Sequence, residues 1–125
     1  MINIETLIND SECLMFSTNK MFNNYNLIND KRILIAILNN IKNISINCLA
    51  IHKSFKSSVN INKLNNEINE LHYLHNNSII EFSRNGSLMI CSDNYFSVVP
   101  LNIDILKKYF LQFRLFLLEL GSVLR

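Results

Sequence analysis

The chain has 125 residues, 49% of them apolar and 18% charged, with a formal net charge of +2. That balance excludes an intrinsically disordered chain, which lacks the apolar surface to offset the entropy of ordering; the length suits a single domain. Two glycines and one proline favour long helices with few loops. Basic residues come in scattered pairs (Lys31 and Arg32, Lys53 and Lys56, Lys107 and Lys108) and form no stripe of the kind that neutralises a phosphate backbone.

Apolar spacing of three and four residues places a first helix over about Ile4 to Asn23. Its buried stripe is Ile4, Leu7, Ile8, Leu14, Met15, Met21 and Phe22, with Ser11 and Thr18 on the same face. A second helix is expected from Asn29 or Asp30, either of which can cap it, to about Phe55. It carries two apolar stripes: Leu34, Leu38, Ile41, Cys48 and Phe55 on one, Ile33, Ile37, Ile44 and Ile51 on the other. Two such faces imply burial on more than one side, or contact with a second subunit. Ser57, Ser58 or Asn60 should cap the third helix, whose stripe runs Ile61, Leu64, Ile68, Leu71 and then turns polar at His75 and Ser78.

Between Ile79 and Leu101 the pattern changes. Leu88 to Cys91 and Tyr95 to Val99 read as a hairpin around Ser92-Asp93-Asn94, within an insertion at about 82–100. Glu81 to Arg84 offers an additional short strand, and Asn85-Gly86 is a second turn signal. Pro100 closes this stretch, and Asn102 can cap the fourth helix. There Ile103, Leu106, Phe110, Phe113, Leu117, Leu120 and Leu124 hold the helical spacing throughout, widened by Tyr109, Phe116 and Val123. The fold class expected is mainly α: an antiparallel four-helix bundle with a β-hairpin between helices three and four, in one domain over 1–125. A seam that broad leaves a spare flank for association, and Ile33, Ile37, Ile44, Tyr109 and Phe116 are the interface candidates.

Asparagine and isoleucine are over-used, and both have A/T-rich codons. Doublets such as Asn39-Asn40 and Asn65-Asn66 therefore read as solvated faces. Cys13, Cys48 and Cys91 share no metal or redox spacing and read as small buried hydrophobes in a reducing compartment. The N-terminal MINIETLINDSE carries early acids, unlike a signal peptide. The most apolar stretch, from Tyr109 to Leu124, is interrupted by Gln112, Arg114 and Glu119. A cytoplasmic location without membrane contact is the expectation.

Chemistry could reside in the polar run His72, His75, Glu81, Arg84. Histidine transfers protons near neutral pH, a carboxylate can orient it, and an arginine can hold a phosphate through two parallel hydrogen bonds. His75 with Glu81 and Arg84 could serve RNA cleavage; equally, His75 could be a core histidine, and Glu81 and Arg84 an exposed pair. His52 reads as a satisfied core histidine. Four ligands for zinc are not assembled, no phosphate-cradling glycine loop exists, and no cofactor is expected.

Two segments, DKRILIAILNNIKNISINCLAIHKSF and SIIEFSRNGSLMICSDNYFSVVPLNIDILKKYF, resemble small archaeal proteins of the HEPN-type helical-bundle class. Together they span about half the chain. The resemblance implies a bundle that dimerises through its long helices, and a place beside nucleic acids, since catalytic members are metal-independent ribonucleases. Those members carry an arginine, four to six residues, then a histidine on one helix; here no arginine precedes a histidine at that spacing. The function expected is therefore a non-catalytic domain that forms a homodimer or binds a partner protein. The alternative is a ribonuclease or RNA-binding protein using His75. Nucleic acid is a partner the composition allows without supporting.

Overall fold

A computed structural model describes residues 3–24, 31–77, 79–82, 88–91 and 103–124, with side chains for 3–24, 32–73 and 103–121. Helix α1 (Ile4–Asn23) starts where Asn3 accepts hydrogen bonds through Oδ1 from the backbone of Glu5 at 3.0 Å and Thr6 at 3.4 Å. That cap satisfies donors the first turn would otherwise leave open. Ser11, Met15, Thr18 and Phe22 are buried. The two hydroxyls return to the helix itself, Ser11 donating to the Leu7 carbonyl at 2.7 Å and Thr18 to that of Leu14 at 2.6 Å. Polar groups at these positions are thus satisfied, as burial requires, and their small size suits a close neighbour.

Helix α2 (Lys31–His52) ends before the expected Phe55. Backbone bonds from Ser54 to Ile51 and from Phe55 to His52 tighten the chain into a turn there. Helix α2 packs against α1, against α3 (Ile61–Asn77) and against α4 (Ile103–Leu124). Leu34, Ile37, Leu38, Ile41, Ile44, Cys48 and Ile51 are all buried at 1% exposure or less, so both of its apolar stripes are consumed inside the chain. This is also the one described helix long and apolar enough to cross a membrane, with mean hydropathy 1.4 over Arg32–His52. Its packing against three neighbours fits the apolar composition of a core helix.

Asn60 caps α3, its Oδ1 accepting from Lys63 at 3.1 Å. Asn65 meets Ser45, whereas His72, further along α3, meets Asn39, earlier on α2; α3 therefore runs against α2. Met21 lies beside Asn40, while Asp10 and Cys13 face Ile46 and Asn47, so α1 also runs against α2. Phe22 packs edge-on to Phe110 at 5.3 Å, and Ile8 shares a groove with Leu120, which sets α1 against α4. The four helices form an antiparallel bundle around one core. In α4 that core takes Leu106, Phe110, Phe113, Phe116 and Leu120; Leu117 is only half-buried, so the buried stripe is rotated toward Phe116.

Strands β1 (Ile79–Phe82) and β2 (Leu88–Cys91) pair antiparallel, with Ile79 opposite Cys91 and Phe82 opposite Leu88. The expected hairpin is not found in that form. Leu88 to Cys91 takes its partner from the residues following α3, and Tyr95 to Val99 lies outside the described residues. The caps expected at Asn29, Asp30 and Asn102 lie outside them too.

Phe113 is fully buried while Leu118 is 62% exposed. Phe113→Ala should cost about 3–5 kcal/mol, and Leu118→Ala no more than about 0.5 kcal/mol, read from urea unfolding midpoints. Equal losses would mean that the inward face of α4 has been misassigned.

Candidate functional site

Two polar knots and one apolar strip stand out. The first knot lies along the α2–α3 seam. Asn65, 6% exposed, donates through Nδ2 to the Ser45 hydroxyl at 2.9 Å and accepts from Asn69 at 3.1 Å. Two turns along, the His72 ring stands between Asn39 and Lys42. Nε2 donates to the Asn39 side-chain oxygen at 2.7 Å, and the Lys42 ammonium donates to Nδ1 at 3.1 Å. Burial first, and then the Lys42 charge, hold the His72 imidazole below its ordinary pKa, so the neutral ring is favoured. With both nitrogens engaged, this histidine has no lone pair to offer a substrate; the arrangement is a clasp between helices.

The second knot ties the α2–α3 connection to α4. Glu119 accepts from the Ser57 hydroxyl at 2.6 Å, from the Ser58 backbone at 3.1 Å and from the Ser58 hydroxyl. These bonds hold its carboxyl below the usual range. Further back along α4, Tyr109 donates to Glu67 of α3 at 3.0 Å. Burial and that hydrogen bond push its phenol up to about 12.

The expected catalytic trio is placed only in part. His75 belongs to the last turns of α3, and Glu81 belongs to β1 opposite Met89; their side chains, and Arg84 altogether, lie outside the described residues. Cys91 has its side chain outside them as well. His52 departs from expectation: its Nδ1 is the one buried side-chain nitrogen or oxygen among the described residues that finds no hydrogen-bond partner. Cys13 is exposed and not buried, whereas Cys48 is buried, and that burial pushes its thiol up to about 12. Among the described residues no three His, Cys, Asp or Glu side chains gather as a metal site.

The interface candidates need correction. Ile37, Ile44 and Phe116 are at 1% exposure or less, Ile33 and Tyr109 pack on the same core, and Tyr109 is bonded to α3. Ile37 and Ile44 face inward because α2 has three helical neighbours, and Phe116 lies on the inward side of α4; Ile33 and Tyr109 are only partly covered. The face that does look outward is elsewhere. Leu111, Leu115 and Leu118 are 55%, 43% and 62% exposed along α4, and Phe16 of α1, 64% exposed, lies beside Leu118. Phe16, Phe110, Leu117 and Leu118 line one groove, with Glu12 and Arg114 also contributing. The sequence held the signal for it: leucines at 111, 115 and 118 repeat at helical spacing on the side of α4 opposite Phe113 and Leu120.

No family model, curated protein or solved structure matches this chain.

Because the folded His72 ring resists protonation, below about pH 6.5 the unfolded chain binds more protons than the folded one. Stability must then fall as the pH is lowered through that window, and must be indifferent to this group above it. Wild-type urea midpoints should drop more steeply than those of His72→Gln between about pH 7 and 5. Parallel curves would show that the ring titrates alike in both states.

Proposed function

We propose that this is a non-catalytic helical-bundle domain, HEPN-like in fold and acting in the cytoplasm, whose role is to dock a protein surface along the outer face of α4. The observation that carries this reading is the exposed strip of Leu111, Leu115, Leu118 and Phe16. Single exposed apolar residues are ordinary, but a contiguous strip rimmed by charge marks an interaction site. Flanking it, Glu12 and Arg114 are the kind of polar rim that surrounds the apolar centre of an interface. The described histidine cluster gives no comparable support to catalysis, since both nitrogens of His72 serve the α2–α3 clasp.

A photoreactive amino acid placed at Leu115 in the full chain, with a control at Asn62, which is exposed on α3, tests this. A covalent protein adduct is expected from position 115, absent from position 62, and lost when Leu111→Glu and Leu118→Glu are added. No adduct from position 115 sinks the proposal. In parallel, mixed short RNAs should be neither cleaved nor retained; turnover that disappears in a folded His75→Ala variant would replace this reading with the ribonuclease one.

A further inference from the structure

The seam between α1 and α4 is open along its outer side. Glu12 and Leu117 belong to two clefts at once: one continues to Phe16, Asn19 and Arg114, the other to Glu5, Asn9 and Gly121. The clefts therefore join into one furrow spanning Glu5 to Asn19, a length of roughly 21 Å at the helical rise. Buried Met15, Phe110 and Leu120 form its floor. One wall is a ridge of exposed α1 residues, Glu5, Asn9, Glu12, Phe16 and Asn19, at intervals of four, three, four and three. The other wall follows Arg114, Leu117 and Gly121 of α4, at intervals of three and four. Those are the spacings that a neighbouring helix meets in a packed bundle. A β-carbon added at Gly121 would have nothing within 4 Å, so the furrow has room at that end.

The charges lining the furrow are Glu5, Glu12 and Arg114. Asp104, Lys107 and Lys108, a mixed group in the opening turns of α4, line neither cleft, and Lys20 is held over the Phe16 ring at 4.6 Å. Phe22 meets Phe110 and Ile8 shares a cleft with Leu120, which sets Arg114 level with Phe16, about one turn from Glu12. Among the described residues Glu12 and Arg114 form no ion pair with each other. Resting on the proposed docking function, we infer that the furrow receives an amphipathic helix of a partner protein. Its entering face is apolar, with basic residues seven apart opposite Glu5 and Glu12, and an acid four residues past the second, opposite Arg114. A helix suits the site better than an extended chain: it satisfies its own backbone groups, and neither wall offers a strand edge to pair with. The apolar floor supplies adhesion, and opposite charges at matched levels choose the partner. Phe16 and Leu118 border both this furrow and the leucine strip, so the helix and the surface over Leu111 and Leu115 belong to one contact.

Fluorescence anisotropy of labelled helical peptides with the full chain tests this. The peptides carry leucines on one face, with two lysines and a glutamate at the matched spacing, written in both chain directions; controls invert every charge. One matched peptide is expected to bind roughly tenfold more tightly than its inverted control, as exposed attractions become repulsions, and added salt to narrow the gap. Glu5→Lys with Glu12→Lys should reverse that preference at an unchanged helical circular dichroism spectrum, a swap that general destabilisation cannot produce. Gly121→Leu, whose β-carbon meets nothing, should weaken the matched peptide without lowering the urea midpoint. Equal binding of matched and inverted peptides overturns the charge-selected helix. No peptide binding, with a cross-link still formed from position 115, overturns the furrow and leaves the docking face standing; loss of both removes both readings. A wild-type dimer in sedimentation that Glu5→Lys with Glu12→Lys breaks gives the furrow to a second copy and overturns the partner helix.

Discussion

Helix α2 touches α1, α3 and α4, and the remaining arrangement follows from the need to bury it from three directions. Leu34, Ile37, Leu38, Ile41, Ile44 and Ile51 together occupy more than one side of the helix and are all at 1% exposure or less. Burying side chains of this kind stabilises the fold by about 1.5–3 kcal/mol each, but no single neighbour could cover them. A helix with one stripe can be satisfied by one partner; α2 is satisfied only when all three have arrived. The bundle is therefore cooperative about α2, and removing any one neighbour would open a long apolar face to water. The aromatic contacts of Phe22 with Phe110 and of Phe55 with Phe116 then bring α4 to α1 and to the end of α2.

Polar side chains inside this core are few and accounted for. Ser11 and Thr18 return their hydroxyls to α1, and Ser45 accepts from Asn65 across the α2–α3 seam. The Asn65 amide and the His72 ring each fix one level of α3 against one level of α2. An apolar seam would tolerate sliding by a turn, whereas a slid seam here would strand buried donors and acceptors. His52 is the exception, with a buried Nδ1 that finds no partner among the described residues. The α4 leucines belong to a different economy. Leu111, Leu115 and Leu118 add nothing to this core, and their side chains remain in water unless something covers them.

The helices were legible because their periods are long and regular: the Leu106, Phe110, Phe113, Leu120 series alone defines the inward side of α4. Which residues could meet a second subunit was not legible. Periodicity counts apolar positions without saying how many neighbours a helix has, so Ile37 and Ile44 looked available when three-sided packing had consumed them. The same limit hid Leu111, Leu115 and Leu118, which lay outside the seam read for α4. Strand pairing shows a related gap. β-propensity marked Leu88 to Cys91, but a partner is chosen by tertiary context, and Ile79 to Phe82 takes that place. At the polar end of α3 the sequence drew attention to His75. Among the described side chains the hydrogen-bonded pair with Lys42 is that of His72, because Lys42 and Asn39 on the facing helix stand at its level, a coincidence across 30 and 33 residues that no local pattern records.

The Glu119 carboxylate gives the α2–α3 connection a debt to a distant part of the chain. Ser57 and Ser58 lie just before α3, yet their shared acceptor is 62 and 61 residues further on. The α1–α2 and α2–α3 pairs can form from neighbouring segments, whose closure entropy is modest. The serine hydroxyls, by contrast, find their acceptor only after α4 has crossed back over the bundle. Between those two events the donors that Ser57 and Ser58 later give to Glu119 have water as their partner, while the connection's internal bonds, such as that from the Val59 backbone to the Ser57 hydroxyl, can already form. The α2–α3 connection is thus locked by a helix that lies beyond α3 in the chain, and a chain interrupted before Glu119 would carry three packed helices joined by an unfastened corner.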